Sequence, residues 1–187
     1  MPTKAGQLNF RRWVAATPGA TWPDEGGHVT VLPPVVPIRG LEAVEAAIAG
    51  VCAAWAPFGL ELSRLVRAPH LARPHLHTVL LAEPAATGRP GPLRGLRRAL
   101  ASALRPVASD PSPAYTRSRY LPHITLTLGV AEPEAARLAG AAEAAGLQAV
   151  FVVEALWLRA YAGPILDPTR SRRFWLGCRE GPPDAIR

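Results

Sequence analysis

The chain is short of cysteine, short of acidic residues relative to basic ones, and has no long apolar run. Its two cysteines, Cys52 and Cys178, stand far apart and form no metal-type pair. Cys52 sits in a helix-like apolar stretch and Cys178 in a strand-like one, so both are expected to be reduced core thiols of a cytoplasmic protein. No stretch approaches the length of uninterrupted apolar sequence that a membrane helix needs, so no transmembrane helix is expected. The N-terminal Met1-Pro-Thr-Lys-Ala-Gly lacks the apolar core of a signal peptide.

What is present is hydrophobic and basic. About half of the 187 residues are hydrophobic (49%), enough to bury a sizeable interior in one domain or in two small lobes. The formal charge is +7, and arginine carries almost all of the positive side. Such a surface suits a polyanion such as RNA, or a phosphorylated small molecule, and equally suits an arginine-rich solvated surface with no partner.

One short pattern occurs twice. Gly27-His28-Val29-Thr30-Val31 and Pro122-His123-Ile124-Thr125-Leu126-Thr127-Leu128 both read histidine, apolar, threonine, apolar, about half the chain apart. On a β-strand, residues two apart share a face. The spacing therefore predicts His28 beside Thr30, and His123 beside Thr125 and Thr127, with Ile124, Leu126 and Leu128 packing behind. Thr127 is expected to be an ordinary strand residue, because Thr125 already fills the motif position.

Read in order, the chain predicts a weak strand over 9–16, a Pro/Gly-rich loop, and a motif strand over 28–32 ended by Pro33, Pro34 and Pro37. A helix follows over 41–55, with Leu41, Val44, Ala47, Ile48, Val51 and Cys52 on one face and Glu42 and Glu45 in the first turns. Residues 59–68 read as one antiparallel strand with a bulge, and 75–82 as the next strand. Residues 93–105 form a basic amphipathic helix, with Leu93, Leu96, Leu100 and Leu104 inward and Arg94, Arg97, Arg98 and Arg105 outward. A polar loop leads to the second motif strand (120–129), a helix (133–145), a long strand region (148–160), a loop through Arg170, and a last strand (172–178). The order predicts an α+β fold with mainly antiparallel pairing, and its two similar halves suggest an internal duplication.

The paired motifs, with Leu-Pro-Pro after the first and Tyr120-Leu-Pro before the second, resemble the two His-x-Thr/Ser-x motifs of the 2H phosphoesterase superfamily. The nearest branch is the bacterial 2′-5′ RNA ligase-like proteins, which include RNA 2′,3′-cyclic phosphodiesterases. The resemblance covers about residues 9–178. It implies a bilobal fold with pseudo-two-fold symmetry, two mainly antiparallel sheets lining a central cleft, and helices packed outside. Residues 1–187 would form a single domain of interleaved lobes, with motif halves near 9–107 and 108–180 and a flexible tail over 181–187. The implied activity is metal-independent phosphodiester hydrolysis without a cofactor. The partner would be RNA or a nucleotide with a 2′,3′-cyclic phosphate, the protein would be a monomer, and no membrane would be involved.

The chemistry explains the residue types. Opening a cyclic phosphate removes a proton from water on one side of phosphorus and returns one to the leaving alkoxide on the other. Histidine, with an ordinary pKa of about 6.5, can do either at neutral pH. His28 and His123 are the candidate acid–base pair, and Thr30 and Thr125 the candidate phosphate holders, donating to the non-bridging oxygens. The same site would join a 2′,3′-cyclic end to a 5′-hydroxyl. Trp22, His77, Arg117, Arg119 and Tyr120 are candidate substrate contacts. Trp22 is placed to stack a base, and Arg117, Arg119 and the Arg170-Ser171-Arg172-Arg173 cluster to meet phosphates. Trp157 and Trp175 are expected in the core. His70, His75 and His77 lack the companion ligands of a metal site. Two other functions fit the same residues: a phosphodiesterase for small cyclic nucleotides or 2′-5′ oligonucleotides, and a non-catalytic RNA-binding module.

Overall fold

The computed structural model describes residues 11–20, 27–70, 73–84, 91–109, 120–163, 165–177 and 184–185. In chain order the elements are α1 (residues 11–16), β1 (Val36–Pro37), α2 (Leu41–Ala53), β2 (Phe58–Leu62), β3 (Arg64–His70) and β4 (Arg73–Ala82). Then come α3 (Pro92–Leu104), β5 (Ala108–Ser109), β6 (His123–Val130), α4 (Glu132–Ala144), β7 (Ala149–Val153), β8 (Ala155–Ala162), β9 (Ile165–Trp175) and β10 (Asp184–Ala185). The fold is α+β, as the sequence predicts, and its larger sheets are antiparallel. Among the described residues, no helix is long and apolar enough to cross a membrane.

The chain forms two compact units, each gathered from three separate segments. The first takes Met1–Val31, Gly59–Pro90 and Tyr120–Val152, and the second Leu32–Phe58, Gly91–Arg119 and Val153–Arg187.

In the first unit, β3, β4 and β6 pair in that order. Residues in register share a face. One face therefore carries Leu65, Arg67, Val79, Leu81 and Ile124, and the other Arg64, Val66, Leu80, Ala82, His123 and Thr125. Arg67 donates to Glu132, in the first turn of α4, at 2.7 Å, which makes the first of these faces the helix side. There Val79, Leu81, Ile124 and Leu126 are buried, as are Ala135, Leu138 and Ala142 of α4. Glu132 and Glu134 at the start of α4 match the positive end of its dipole.

The expected alternation fails at the end of β6. The register slips between Val79 and Leu80, where two residues of β6 oppose one of β4. Thr127 is thereby turned to the helix side and buried to 1% exposure, while Leu128 is 61% exposed. Thr127 does not share a face with His123 and Thr125. Its hydroxyl is buried without a hydrogen-bond partner, and such a group costs about 1–3 kcal/mol of desolvation. Thr127→Val should therefore stabilise the protein by about 1 kcal/mol in urea unfolding, and a lower midpoint would show that the hydroxyl is satisfied.

In the second unit, α2 and α3 pack on each other, and α2 also covers β8 and β9. Val44, Ile48 and Cys52 of α2 and Leu93, Leu96, Leu100 and Leu104 of α3 are buried, the faces the three-and-four spacing predicts. Of the arginines expected outward on α3, Arg98 is exposed and Arg94 and Arg97 are half-buried. Burial pushes the Cys52 thiol up to about 11, so it is protonated at neutral pH. Cys178 lies outside the described residues.

Several elements differ from the sequence expectation. Residues 11–16 are helical, not a strand. The single strand expected over 59–68 is two, because the chain changes sheets at Ser63: β2 pairs with β7, and β3 with β4. The region 148–160 divides in the same way at Glu154, β7 going to β2 and β8 to β9. The loop expected through Arg170 is mostly strand, interrupted where β9 bulges between its partners of Ala160 and Leu158. Asp167 organises that bulge: its carboxylate accepts from the hydroxyl and amide of Thr169 and the amide of Arg170. The Thr169 hydroxyl above all holds the Asp167 carboxyl below the usual carboxylate range. In the tail expected to be flexible, Asp184–Ala185 pair with Arg173 and Arg172 of β9.

Candidate active site

His123, Thr125, His28 and Thr30 all belong to the first unit. The second motif is held rigidly. Pro122 is fully buried just before β6, and Ile124 and Leu126 anchor the strand from the helix side. His123 and Thr125 project from the opposite face, both half-buried.

His123 Nδ1 lies 2.7 Å from the carbonyl oxygen of Leu121. A carbonyl can only accept, so Nδ1 carries the proton and donates. The neutral ring then has its lone pair on Nε2, and the charged ring an Nε2–H. Either way the Leu121 carbonyl orients the ring and leaves Nε2 as the nitrogen open to proton exchange.

The first motif is not a strand. Residues 27–30 have no ladder partner, so the face argument made for His28 and Thr30 does not apply to them. Val29 and His28 are half-buried and Thr30 is exposed. Pro33 and Pro34 offer no N–H to extend a ladder, and the Thr30 carbonyl is engaged by a side chain: the Tyr120 hydroxyl donates to it at 3.0 Å. Tyr120, three residues before His123, thus ties the backbone of the first motif to the approach of the second.

The chain leading to His28 is anchored on α4. Arg137 grips Glu134 through two hydrogen bonds (2.6 and 2.8 Å) and also donates to the Pro18 carbonyl. Gly19, at φ 81°, lies against the Glu134 carboxylate, where a Cβ would collide with Oε1. Gly19→Ala combines that collision with a left-handed backbone costing about 1–2 kcal/mol for a side-chain-bearing residue. We expect its thermal midpoint to fall by several degrees; an unchanged midpoint would mean that this turn re-forms freely.

The remaining candidates are scattered. Trp22, Arg117 and Arg119 lie outside the described residues. His77 is in register with Pro69 and Val130, which puts it on the helix side of the sheet, away from His123. Its Nδ1 is buried without a partner. His75 is exposed, and His70 Nδ1 accepts from the Arg73 amide at 3.1 Å. Among the described residues, no three His, Cys, Asp or Glu side chains gather closely enough to hold a metal ion.

In the second unit, the two tryptophans expected in the core are only partly buried, with Trp175 40% exposed. The guanidinium of Arg173 lies over both rings, 4.4 Å from that of Trp157 and 5.1 Å from that of Trp175, so a charged group covers part of each. Arg172 approaches Glu45 at 3.9 Å. Both arginines thus have neighbours within their own unit.

One residue near the second motif escapes sequence reasoning. Arg64 is in register with Ala82, and Ala82 with His123, so the three form one row across the sheet. No local pattern marks it, because the row exists only once β3 and β6 flank β4.

Compared with known families, residues 6–164 match the profile of the 2′-5′ RNA ligase superfamily. A comparison with curated proteins gives no match.

Proposed function

The chain belongs to the 2′-5′ RNA ligase superfamily, and from that premise we propose that it opens 2′,3′-cyclic phosphate ends of RNA by acid–base chemistry between His28 and His123. One imidazole, neutral, takes a proton from water as the oxygen attacks phosphorus. The other, protonated, delivers a proton to the 2′- or 3′-oxygen as its bond to phosphorus breaks. The product is a phosphate monoester with a free neighbouring hydroxyl. Thr30 and Thr125 donate to the non-bridging oxygens, where charge builds in the transition state. A 5′-hydroxyl in place of water would give the joining reaction.

The observation that carries this reading is the Nδ1–H bond from His123 to the Leu121 carbonyl. It presets the imidazole as a proton-transfer group with a single available nitrogen, the arrangement general acid–base catalysis needs. The Tyr120 bond to Thr30 supports it by holding the first motif to the residues before His123.

The test is turnover by the purified protein, in EDTA, of nucleoside 2′,3′-cyclic phosphates and of short RNAs ending in one. Release of a single monophosphate isomer is expected. No turnover across that panel, with binding of the RNAs retained, would favour a non-catalytic RNA-binding module.

A further inference from the structure

We propose that Arg64 forms a second phosphate subsite, which holds the phosphodiester on the 5′ side of the terminal nucleoside and so selects RNA chains over mononucleotides. The inference rests on the cyclic-phosphate reading above and adds to it the polymer preference and the residue responsible.

The argument begins with the sheet. Arg64, Ala82 and His123 share one row and one face. Neighbouring strands are about 4.8 Å apart, so the Arg64 and His123 backbones are separated by about 10 Å. Less the reach of the two side chains, that gap is on the order of one nucleotide. The residue between them is Ala82, whose small side chain is itself fully buried, so a nucleotide joining the two ends would pass over it without touching it.

The second step is the aim of the guanidinium. Arg64 Nε donates to the Glu83 carbonyl at 3.2 Å, and the Glu83 amide donates to the Pro122 carbonyl at 3.1 Å. Pro122 directly precedes His123. The guanidinium is therefore tethered at the end of β4 that faces the approach to the second motif. Among the described residues, no hydrogen bond engages its two Nη groups. These form the planar fork that binds a phosphate through two parallel hydrogen bonds.

The third step is what lies beyond. β3 is an edge strand of its sheet among the described residues. Along it runs an open groove of about 560 Å³ between Arg64, Leu65 and Arg67 of β3 and Ala139 and Glu143 of α4 with Leu147 after its end. That groove opens on the helix side of the sheet, where Arg67 is already paired with Glu132, so Arg64 is the arginine of this edge that shares the face of His123. A mononucleotide ending at His123 carries no phosphate that extends to Arg64.

The test compares a nucleoside 2′,3′-cyclic phosphate with a trinucleotide carrying the same cyclic end. In Arg64→Ala, the ratio of trinucleotide to mononucleotide kcat/KM should fall about tenfold or more, the loss expected for one charge-assisted hydrogen-bonded contact. In the unaltered protein, a neutral methylphosphonate at the linkage next to the terminal nucleoside should lower the ratio similarly. In Arg64→Ala the same replacement should cost little more, because both changes remove one contact. A ratio unmoved by both changes overturns the proposal, and the methylphosphonate arm decides it even where Arg64→Ala folds poorly.

A binding measurement separates this inference from the one beneath it. If neither substrate turns over, the hydrolytic reading fails. Fluorescence anisotropy with a labelled trinucleotide 3′-phosphate then decides the subsite alone. Binding about tenfold weaker in Arg64→Ala supports it, and equal binding overturns it.

Discussion

His123→Ala should lower the turnover of a 2′,3′-cyclic phosphate by about 10²–10⁴-fold while the fold survives. The side chain is half-buried and stands on the face opposite the α4 packing, so its loss opens no cavity among Ile124, Leu126 and Leu81. The lost function is specific. With Nδ1 committed to Leu121, only Nε2 can exchange a proton, and alanine supplies no substitute. His28→Ala should fall in the same range. The double variant should be little worse than either single one, because groups that act together in one step are not additive. The pH profile adds a second reading. One imidazole must be neutral, which suppresses the rate at low pH, and the other protonated, which suppresses it at high pH, so the unaltered protein should give a bell. Each single variant should lose one limb of that bell in its residual rate, and the lost limb names the role of the missing residue. Residual turnover within a few-fold of the starting protein in His123→Ala would remove this histidine from the chemistry.

What the sequence made legible, and what it did not, divides along physical lines. Helices α2, α3 and α4 were legible because a helix makes its own hydrogen bonds, and its buried face repeats locally: Leu93, Leu96, Leu100 and Leu104 state the core side of α3 by themselves. Strands depend on partners elsewhere in the chain. The breaks at Ser63 and Glu154 were invisible because the local pattern persists while the sheet on the other side changes. The His28 stretch alternates as a strand should, yet Tyr120 engages its carbonyl and two prolines follow, so alternation alone misled. Residues 11–16 illustrate the converse ambiguity, a short apolar run that either structure accepts. At the candidate site, the residues stood out by type, since the same His-apolar-Thr-apolar pattern appears twice about half the chain apart. The tautomer of His123, the bond from Tyr120 and the row that includes Arg64 all arise from tertiary pairing. Thr127 is the sharpest case: by sequence it extends the polar face of the motif, and a one-residue bulge sends it into the core.

Leu81→Ala should destabilise the protein by about 2–5 kcal/mol, the largest stability effect expected near the site. Leu81 is fully buried, in register with Ile124 of β6 on one side and Leu65 of β3 on the other. It lies at the centre of the sheet, and α4 closes over the same face. Truncation removes the transfer energy of the side chain and leaves a cavity that flanking strands, tied by their ladders, cannot collapse to fill. Urea unfolding should show a lower midpoint with an unchanged slope, since the surface exposed on unfolding hardly changes. The effect on catalysis should be much smaller than that of His123→Ala, because the carbonyl that orients the imidazole comes from Leu121, outside the strand. The two variants therefore separate two requirements of one short strand. Its buried residues govern whether the sheet holds together, and on the proposed reading its half-buried histidine governs turnover. A midpoint unchanged in Leu81→Ala would contradict the packing described for this face. A kcat as low as that of His123→Ala, in fully folded protein, would mean that the imidazole is positioned by the core as well as by Leu121.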